Sequence, residues 1–459
     1  MELKRKILDQ LVQWKENDSQ KCALMIEGAR RIGKSTIVER FAKKHYKSYV
    51  LIDFAVASKN VKDNFFDNLD NLDVFFQNLS LEYNTKLYPG ETLFIFDEVQ
   101  KFPRAREAIK YLIQDGRYHY IETGSLISIK ENVANIVIPS EEKKIKMYPL
   151  DFEEFLWAAN EEILLGYIKE CVKTEVKLKD EFHKKAMRLF KEYMLVGGMP
   201  QSVVAYFENH RDFDAADTAK RRILSLYEDD IKKSAKKYRS KVAAIFDQIP
   251  GFLSKHDKKI KTSSIEKDTK FDTYDEPLFW LGDSMICNLC YKCNDPNVGF
   301  ALNEDGASVK CYMGDTGLLV SHAFAENEII SKELYKLIMN DKLSLNKGML
   351  YENAIAQMIK TSSQKLYFYT HYSPEKHRDD IEIDFLLSNQ SKTNLKVFPI
   401  EVKSSKNYTT ISYDAFKKKF GKRIGKSYIV HPKPLYKDER GIRVPPYMFP
   451  FFIQTFDDE

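Results

Sequence analysis

The segment Gly28-Ala29-Arg30-Arg31-Ile32-Gly33-Lys34-Ser35 decides the first part of the fold, because it fits the pattern G-x-x-x-x-G-K-[ST]. The apolar run CALMI at 22–26 precedes it, and STIVERFAKKHY at 35–46, with apolar residues at helical spacing, follows it. In this strand–loop–helix order, backbone N–H groups and the helix N-terminus cradle phosphate groups. The segment therefore predicts a phosphate-binding loop at the end of a buried strand.

The residue types in this loop each have a chemical reason. The glycines let the backbone wrap around the phosphates, the lysine reaches the terminal phosphates, and the hydroxyl of Ser35 is expected to bind Mg²⁺. ATP with Mg²⁺ is thus the expected cofactor. The loop residues predicted to bind it are Gly28, Arg30, Arg31, Ile32, Gly33, Lys34, Ser35 and Thr36.

A second pattern, LFIFDE at 93–98, places two carboxylates at the end of an apolar strand. Asp97 is expected to hold Mg²⁺ through water, and Glu98 is expected to polarise the attacking water as the catalytic base. Either pattern alone is compatible with a chance turn or a strand-end charge pair, but together they favour a nucleotide site. Arg104 and Arg106, which follow, are either arginine fingers or ordinary surface charges.

Short apolar runs alternate with helical patterns in this part of the chain, at 22–26, 49–54, 92–96 and 118–121. The alternation predicts an α/β fold with a parallel sheet. Because an extra run separates the two motif strands, we expect them not to be adjacent in the sheet. Thr123 and Ser125 end the last run, where they either contact the γ-phosphate of ATP or form a plain turn.

Composition limits the class of protein. The chain has 459 residues, with 72 Lys and Arg against 67 Asp and Glu, and this net charge of +5 excludes a polycationic protein. No run approaches the ~18 apolar residues of a membrane span. Six cysteines in a chain of this length do not make a disulfide framework. We therefore expect a cytoplasmic protein with no membrane partner.

Two strand patterns near the C-terminus, at 381–387 and 397–403, carry charges at alternating positions. Asp384, Glu401 and Lys403 fit the order Asp…Glu-x-Lys of metal-dependent nucleases. There two carboxylates hold Mg²⁺, and the lysine helps to activate water. Such alternation is equally typical of a solvated strand face with structural ion pairs. The catalytic interpretation and the structural one both stay open.

Glu352 adds a third acid to this candidate site. In the helical segment GMLYENAIAQMI at 348–359 it shares a face with Ile355 and Ile359. A glutamate on an apolar face needs a partner, and a metal ion or a lysine would supply one. The predicted metal ligands of the second site are thus Glu352, Asp384 and Glu401.

Two further features have open interpretations. Residues 231–270 hold 12 Lys and Arg against four acids and form either a phosphate-backbone contact or a solvated loop. The basic residues there are Lys232, Lys233, Lys236, Lys237, Arg239, Lys241, Lys255, Lys258, Lys259, Lys261, Lys267 and Lys270. The second feature is a group of cysteines that either bind zinc or are buried thiols, namely Cys287, Cys290, Cys293 and Cys311.

Several motifs run in one order from about residue 20 to residue 406: GARRIGKST, LFIFDEVQKFP, ETGSLIS, MYPLDFEEFL, YMLVGGMPQSVV, MGDTGLL, GMLYENAIAQMI, IEIDFLL and PIEVKSS. In these motifs the chain resembles the prokaryotic AAA-like P-loop ATPases that carry a C-terminal restriction-endonuclease-like domain of formerly unknown function. Read without the resemblance, the turn at 197–200 simply ends a helix.

The resemblance implies three domains: an AAA-like ATPase core at 1–160, a helical and winged-helix region at 161–335, and a nuclease-like α/β domain at 336–459. It implies a Mg²⁺-dependent ATPase that acts on DNA, with a nuclease-like domain gated by nucleotide, and a homo-oligomer is a further expected partner arrangement. The alternative is a nucleotide-controlled switch or partner-binding module with an inactive nuclease fold.

Overall fold

The computed structural model describes residues 1–125, 139–235, 238–261, 271–297, 299–326, 332–340, 342, 347–375, 377–388 and 396–454. The chain divides into two compact units, and each is described by itself. The N-terminal unit consists of Arg5–Tyr148 with Asp283–Met285. The C-terminal unit consists of Met1–Lys4, Pro149–Gly282 and Ile286–Glu459.

The N-terminal unit is a parallel sheet with helices packed against it. Its strands are β1 (Ala23–Glu27), β2 (Ser48–Asp53), β3 (Thr92–Asp97), β4 (His119–Gly124) and β5 (Glu142–Lys146). They lie in the order β2-β3-β4-β1-β5, and every neighbouring pair is parallel. Its helices are α1 (Ile7–Asn17), α2 (Lys34–His45), α3 (Lys59–Asp67), α4 (Leu72–Glu82) and α5 (Pro103–Asp115).

The predicted parallel α/β fold is confirmed in this unit. The motif strands β1 and β3 are not adjacent, as expected, and the strand between them is β4, whereas β2 lies on the far side of β3. The sequence does not predict β5, because its residues EKKIK are mostly charged. It lies at the edge of the sheet, where charged side chains reach solvent.

The C-terminal unit begins as a helical array. Its helices are α6 (Phe152–Ala158), α7 (Glu162–Lys173), α8 (Asp180–Val196), α9 (Pro200–Glu208), α10 (Phe213–Ser234), α11 (Arg239–Ser254), α12 (Asp275–Asp283), α13 (Thr316–Ala323), α14 (Lys332–Met339), α15 (Lys347–Thr361), α16 (Ile411–Phe420) and α17 (Phe449–Ile453). Every residue of α15 from Met349 to Ile359 is buried. This helix therefore runs through the interior, which explains its apolar sequence.

A mixed sheet of eight strands completes the C-terminal unit. Its strands are β6 (Cys287–Cys293), β7 (Glu304–Met313), β8 (Leu366–Ser373), β9 (Arg378–Ser388), β10 (Val397–Val402), β11 (Tyr428–Val430), β12 (Tyr436–Asp438) and β13 (Gly441–Val444). Their order is β12-β13-β11-β10-β9-β8-β6-β7. The predicted pairing of the two C-terminal charged strands is confirmed, because β9 and β10 are antiparallel neighbours.

The division of the chain near residues 160 and 335 stays a prediction, and so does the winged-helix character of its middle part. The strands β6 and β7 precede residue 335, yet β6 pairs with β8 in the same sheet. The sheet thus draws strands from both sides of that predicted boundary. Among the described residues, no helix is long and apolar enough to cross a membrane.

Three motifs meet at the turn between α8 and α9. The N–H of Leu150 donates to the carbonyl oxygen of Gly198 at 2.7 Å, and the N–H of Gly198 donates to Asp315 Oδ2 at 2.6 Å. A Cβ on Gly198 would lie 2.1 Å from the carbonyl oxygen of Leu150. The predicted helix terminator at 197–200 is confirmed, and close backbone approach explains why it needs this glycine.

The four cysteines considered for zinc lie on β6 and β7, and all are free and buried. Cys287 and Cys290 are three residues apart on one strand, so their side chains lie on opposite faces. In the described ranges, no three His, Cys, Asp or Glu side chains are grouped to hold a metal ion. Burial raises the pKa of Cys290 far above its usual range, which keeps the thiol neutral. The structure favours buried thiols.

Candidate functional site

The predicted phosphate-binding loop joins β1 to α2, and its backbone has the conformation that its sequence suggests. Gly33 begins the helix with φ +90°, and Arg31 also has a positive φ, of +70°. A Cβ on Gly28 would lie 2.3 Å from Ile32 Cδ1 and 2.5 Å from the carbonyl oxygen of Met147. Only glycine therefore fits at the first position of the pattern.

Lys34 lies inside this loop and is almost fully buried. Its Nζ donates to the carbonyl oxygens of Gly28, at 2.8 Å, and Ala29, at 2.9 Å. Burial lowers the pKa of Lys34 to about 8, and the nearby carboxylates of Glu98 and Asp97 oppose that shift. The loop lysine and the two acids of the second pattern thus lie close enough to interact. Ser35 is half-buried and Thr36 is exposed at the start of the helix.

The ends of β3 and β4 bring the remaining predicted residues together. Asp97 Oδ1 accepts hydrogen bonds from the Glu98 N–H, at 3.1 Å, and from the Thr123 hydroxyl. Glu98 has a φ of +52°, and its Oε2 accepts from Gln100 Nε2 at 2.5 Å. Ser125 is buried two residues beyond Thr123. The hydroxyl of Thr123 therefore holds the carboxylate that is expected to bind Mg²⁺.

The arginines after the second pattern have different surroundings. Arg106 is buried and makes two hydrogen bonds of 2.8 Å to the carboxylate of Glu142 on β5. It is therefore neither an arginine finger nor a surface charge. Burial and the Glu142 carboxylate raise the pKa of the neighbouring Glu122 far above its usual range. Arg104 pairs with Glu107 at 3.1 Å and stays partly exposed, so both interpretations of that residue remain open.

One residue of the loop's surroundings is missed by sequence reasoning. Arg5, just before α1, is buried and donates from Nη1 to the carbonyl oxygen of Ile32 at 3.1 Å. Its Nη2 donates to the carbonyl oxygen of Tyr148 at 2.7 Å. Arg5 thus ties the phosphate-binding loop to the segment after β5. In the sequence it is one of several charges near the N-terminus, and no local pattern distinguishes it.

The predicted second site lies where β9 and β10 run side by side in the C-terminal unit. Glu401 and Lys403 share one face, as predicted, and Lys403 Nζ lies 2.9 Å from Glu401 Oε1. Asp384 Oδ2 accepts a hydrogen bond from the N–H of Val402 at 2.7 Å. Asp384 and Lys403 line a cleft of about 490 Å³, which we call the acid–lysine cleft, and Glu401 adjoins it through its pair with Lys403. The structure thus brings Asp384, Glu401 and Lys403 together.

A bulge in β9 accompanies Asp384. On β8 the paired positions advance from Tyr367 to Tyr369, whereas on β9 they pass from Leu386 back to Ile383, so β9 has one extra residue there. Bulges of this kind re-aim side chains and are common beside active sites. Asp384 still lies on the same face as Glu382, as alternation predicts, whereas the bulge places Leu386 instead of Phe385 in the apolar cluster with Ile383.

Glu352 reaches the same cleft but already has two partners. Its Oε1 pairs with Lys258 Nζ, and its Oε2 accepts from the Tyr312 hydroxyl at 3.1 Å. Of the two partners that the sequence allows for this buried acid, the structure supplies a lysine. Lys258 comes from the basic stretch 231–270, of which Lys236, Lys237, Lys267 and Lys270 lie outside the described residues.

Lys310 and Glu382 are further members of the cleft's charge network that sequence reasoning missed. Lys310 is fully buried on β7, and its Nζ lies 3.1 Å from Glu382 Oε1 on β9. Burial lowers the pKa of Lys310, but the carboxylates of Glu382, Glu352 and Asp384 outweigh it, so the pKa ends above its usual range. They lie on strands that are not adjacent in the sheet, so only the tertiary structure brings them together.

The charges around the cleft decide whether its acidic residues can bind a metal ion. Burial and the Glu352 carboxylate raise the pKa of Asp384 to about 7. Burial also raises the pKa of Glu401, although Lys403 opposes the shift. Glu401 Oε2 is buried and has no hydrogen-bond partner within the described part of the chain. The three predicted metal ligands are thus not grouped as a metal site in the described part of the chain, because Glu352 is neutralised by Lys258 and Glu401 pairs with Lys403, which leaves Glu401 Oε2 as an unused acceptor.

Comparison with known families divides the chain into three matched segments. Residues 20–156 match an AAA domain family. Residues 187–328 match the domain of unknown function DUF8612, and residues 347–446 match the domain of unknown function DUF4143. The ATPase part of the resemblance is therefore supported. A restriction-endonuclease-like character of the last domain stays a prediction.

Individual relatives are distant. An uncharacterized protein of Haemophilus influenzae is 28% identical over 206 residues, which are 43% of this chain and 44% of that protein. The chain thus spans less than half the length of this curated relative. A Walker-type ATPase of Pyrococcus abyssi is 13% identical with a TM-score of 0.38, covering 70% of this chain and 96% of that one.

A second solved structure, Cdc6p of Pyrobaculum aerophilum, is 8% identical with a TM-score of 0.25, covering 73% of this chain and 93% of that one. Such values support no argument about function. The family match, the parallel sheet with non-adjacent motif strands and the loop around Lys34 agree with one another. Residues 20–156 therefore match an AAA domain family and have the parallel α/β fold of a P-loop nucleotide-binding domain.

Proposed function

We propose that this chain is a Mg²⁺-dependent ATPase that acts on DNA through the acid–lysine cleft of its C-terminal unit, under the control of bound nucleotide. The observation that carries the ATPase part is the convergence of Lys34, Asp97, Glu98 and Thr123 at the end of the sheet. The convergence of Asp384, Glu401 and Lys403 supports the DNA part. A homo-oligomer is part of the proposal.

In the ATPase site, each residue has a role that follows from its position. Lys34 and the loop N–H groups bind the phosphates, and Ser35 and Asp97 hold Mg²⁺. Glu98 polarises the attacking water, and its positive φ together with the Gln100 contact fixes its carboxylate. Thr123 orients Asp97. Ser125, which is buried just after the end of the same strand, would contact the γ-phosphate.

At the acid–lysine cleft, Asp384 and the adjoining Glu401 would hold a divalent cation, because Glu401 Oε2 has no hydrogen-bond partner among the described residues. Such a cation activates water and stabilises charge that develops on a phosphodiester. Lys403 lies 2.9 Å from Glu401 and would steady the attacking water or the negative phosphate. Glu352 would join as a metal ligand only after Lys258 withdraws.

One observation favours a second candidate function, a nucleotide-controlled binding module with an inactive nuclease fold. Lys258 neutralises the buried carboxylate of Glu352, so the cleft contains its own cation. A lysine in this place stabilises the fold without any metal. On this interpretation the cleft is a structural charge network, and the C-terminal unit binds a partner and does not cleave DNA.

The ATPase proposal is tested by substitution of the loop lysine. Lys34→Ala is expected to abolish ATP hydrolysis, because the terminal phosphates lose their cation. Glu98→Gln is expected to bind ATP with near wild-type affinity while hydrolysis falls by at least ~100-fold. Hydrolysis at the wild-type rate in Lys34→Ala would disprove the assignment of this loop.

The DNA proposal is tested by cleavage assays of the full chain with Mg²⁺ or Mn²⁺, with and without ATP. Glu401→Ala is the blank, and Lys403→Ala is expected to lose cleavage while keeping ATP hydrolysis. Cleavage that depends on Glu401 and changes with ATP would support a nucleotide-gated nuclease. Intact ATP hydrolysis without cleavage under any condition would leave the binding module as the better candidate.

A further inference from the structure

A large groove on the C-terminal unit has a strongly basic lining. It has a volume of about 800 Å³ and is distinct from the acid–lysine cleft, although the two share a border. Asp180 is the acid among its lining residues. The cations that line this feature, which we call the basic groove, are Lys184, Arg188, Lys191, Lys347, Lys406 and Lys433.

Half of these cations form a row along one helix. Lys184, Arg188 and Lys191 are spaced by four and three residues on α8, so they lie on one helical face. At 1.5 Å per residue the row extends for about 10 Å, which is close to three steps of ~3.4 Å along one DNA strand. The other three cations that line the groove come from separate segments of the chain.

The basic groove leads directly to the acid–lysine cleft. Ser404 and Ser405 line both cavities. They follow Lys403, the residue that pairs with Glu401, at the end of β10. A strand that lay in the groove would therefore pass the two serines and reach the carboxylates. Serine hydroxyls are common partners of backbone phosphates in protein–DNA complexes.

We propose that the basic groove binds the phosphodiester backbone of DNA and delivers it to the acid–lysine cleft. This inference rests on the proposed function, whose substrate path it specifies. Six cations against one acid give a groove that attracts a polyanion. The row on α8 matches a chain with regularly repeated charge, and the serine border matches phosphate oxygens.

This assignment replaces the basic stretch 231–270 as the main backbone contact. Several described lysines of that stretch are already paired within the unit: Lys258 with Glu352, Lys259 with Asp379, and Lys261 with Asp257. A lysine that balances a nearby acid adds little net charge for a polyanion. In the basic groove Arg188 also pairs with an acid, Glu192, at 3.6 Å, but its side chain stays 59% exposed, and Lys184 is exposed as well, so a polyanion can reach both.

The test measures how DNA affinity depends on salt. Binding of a labelled short duplex to the full chain is followed by fluorescence anisotropy in EDTA, so that no cleavage occurs. Each lost phosphate contact reduces the slope of log K against log salt by about 0.9. The double variant Lys184→Ala/Arg188→Ala is therefore expected to lower the slope magnitude by about 1.8. Lys417→Ala/Lys418→Ala, on the exposed end of α16, is the matched control and is expected to keep the wild-type slope.

The outcomes separate this inference from the proposed function. A wild-type slope in the groove variant, or an equal loss in Lys232→Ala/Lys233→Ala, would overturn the groove assignment even if the protein cleaves DNA. Competition by poly-glutamate as effective as by DNA would also overturn it, in favour of an acidic protein partner. Groove-dependent binding without cleavage would support the groove while contradicting the nuclease chemistry. Circular dichroism of each variant checks that it is folded.

Discussion

At the scale of single residues, the ammonium group of Lys34 is the part of the proposed ATPase site whose pKa should change when ATP binds. Burial lowers its pKa to about 8 in the free protein. Negative phosphates beside it would favour the charged form, so the pKa must rise when ATP binds. The folded, ATP-bound state then holds a proton that the free protein loses at higher pH.

This coupling predicts the pH dependence of ATP affinity. Affinity should be constant below about pH 7 and fall by up to about tenfold per pH unit above pH 8, where binding requires proton uptake. Titration calorimetry in buffers of different ionisation enthalpy measures both the affinity and the protons taken up. Lys34→Met is the control, and it should bind ATP weakly and without proton uptake near about pH 8. A flat affinity profile up to about pH 9.5 would contradict a lowered lysine pKa.

The pair of Lys258 and Glu352 gives a second prediction at this scale. Lys258→Met leaves the Glu352 carboxylate buried without its cation, and removal of one partner from a buried pair costs about 3–5 kcal/mol. If the cleft can hold a divalent ion, Mn²⁺ should restore much of that stability in the variant and little in the wild-type protein. Chemical denaturation with and without Mn²⁺ measures this difference.

The double variant Lys258→Met/Glu352→Gln is the control, because it removes both charges. It should be more stable than Lys258→Met and insensitive to Mn²⁺. Equal effects of Mn²⁺ on the wild-type protein and on Lys258→Met would show that the lysine does not occupy a cation position. No stabilisation of either protein by Mn²⁺ would favour the binding-module function over the nuclease.

The residue scale also shows what sequence can predict. The positions of Lys34, Asp97 and Glu98 were predictable because each lies in a short local motif with residues of fixed type. Glu401 and Lys403 were predictable because strand alternation fixes their common face. Lys258 was not, because it lies 94 residues from Glu352 and its own neighbourhood is simply basic. Pairing between distant segments is decided by tertiary structure, which local patterns do not contain.

At the scale of elements, the turn between α8 and α9 shows how motifs that are far apart in the sequence contact one another in the fold. The backbone of Leu150, the glycine of the turn and the side chain of Asp315 occupy one small volume. Burial raises the pKa of Asp315, while N–H donors, led by that of Gly198, oppose the shift. A glycine there is required by contact distances and not by an unusual φ.

This contact predicts opposite effects for the same substitution at two glycines. Gly198→Ala would place a methyl group 2.1 Å from the Leu150 carbonyl oxygen, and such overpacking costs about 1–3 kcal/mol of stability. Gly166→Ala, inside α7 with nothing within 4 Å of the new methyl group, should instead stabilise the protein by about 0.5–1 kcal/mol. Urea denaturation of both variants measures the two signs. An unchanged stability of Gly198→Ala would mean that the backbone at Leu150 can shift away from the new methyl group.

The strands show the same division between local and distant information. β1, β3, β9 and β10 were predictable from apolar runs and alternation. The edge strand β5 was not, because its charged sequence is compatible with a strand only where one side meets solvent. The bulge in β9 was not predictable either, since it results from the register of β8 against it. Both features depend on neighbours that lie far away in the sequence.

At the scale of the whole molecule, two compact units with separate apolar cores share one chain. In the N-terminal unit, aromatic and aliphatic residues from the sheet and from α3 to α5 form a fully buried cluster that includes Phe65, Phe94 and Leu112. In the C-terminal unit, a cluster that includes Tyr369, Ile383 and Phe416 packs α16 against the mixed sheet. Each unit thus buries apolar surface of its own, which is the main source of stability for a domain.

Separate cores predict that the two units unfold in separate thermal transitions. ATP is expected to raise the Tm of only one of them. A ligand stabilises the unit that binds it by about 2.7 kcal/mol at a concentration of 100 times its Kd. Calorimetry with ATP and Mg²⁺ should therefore raise the Tm of the N-terminal transition and leave the other in place, and Lys34→Ala should abolish the shift. A variant of the other core, Phe416→Ala, should lower only the second transition, since it removes a buried aromatic ring there. If both transitions instead rise together with ATP, the two units do not unfold independently, and the prediction from separate cores is wrong.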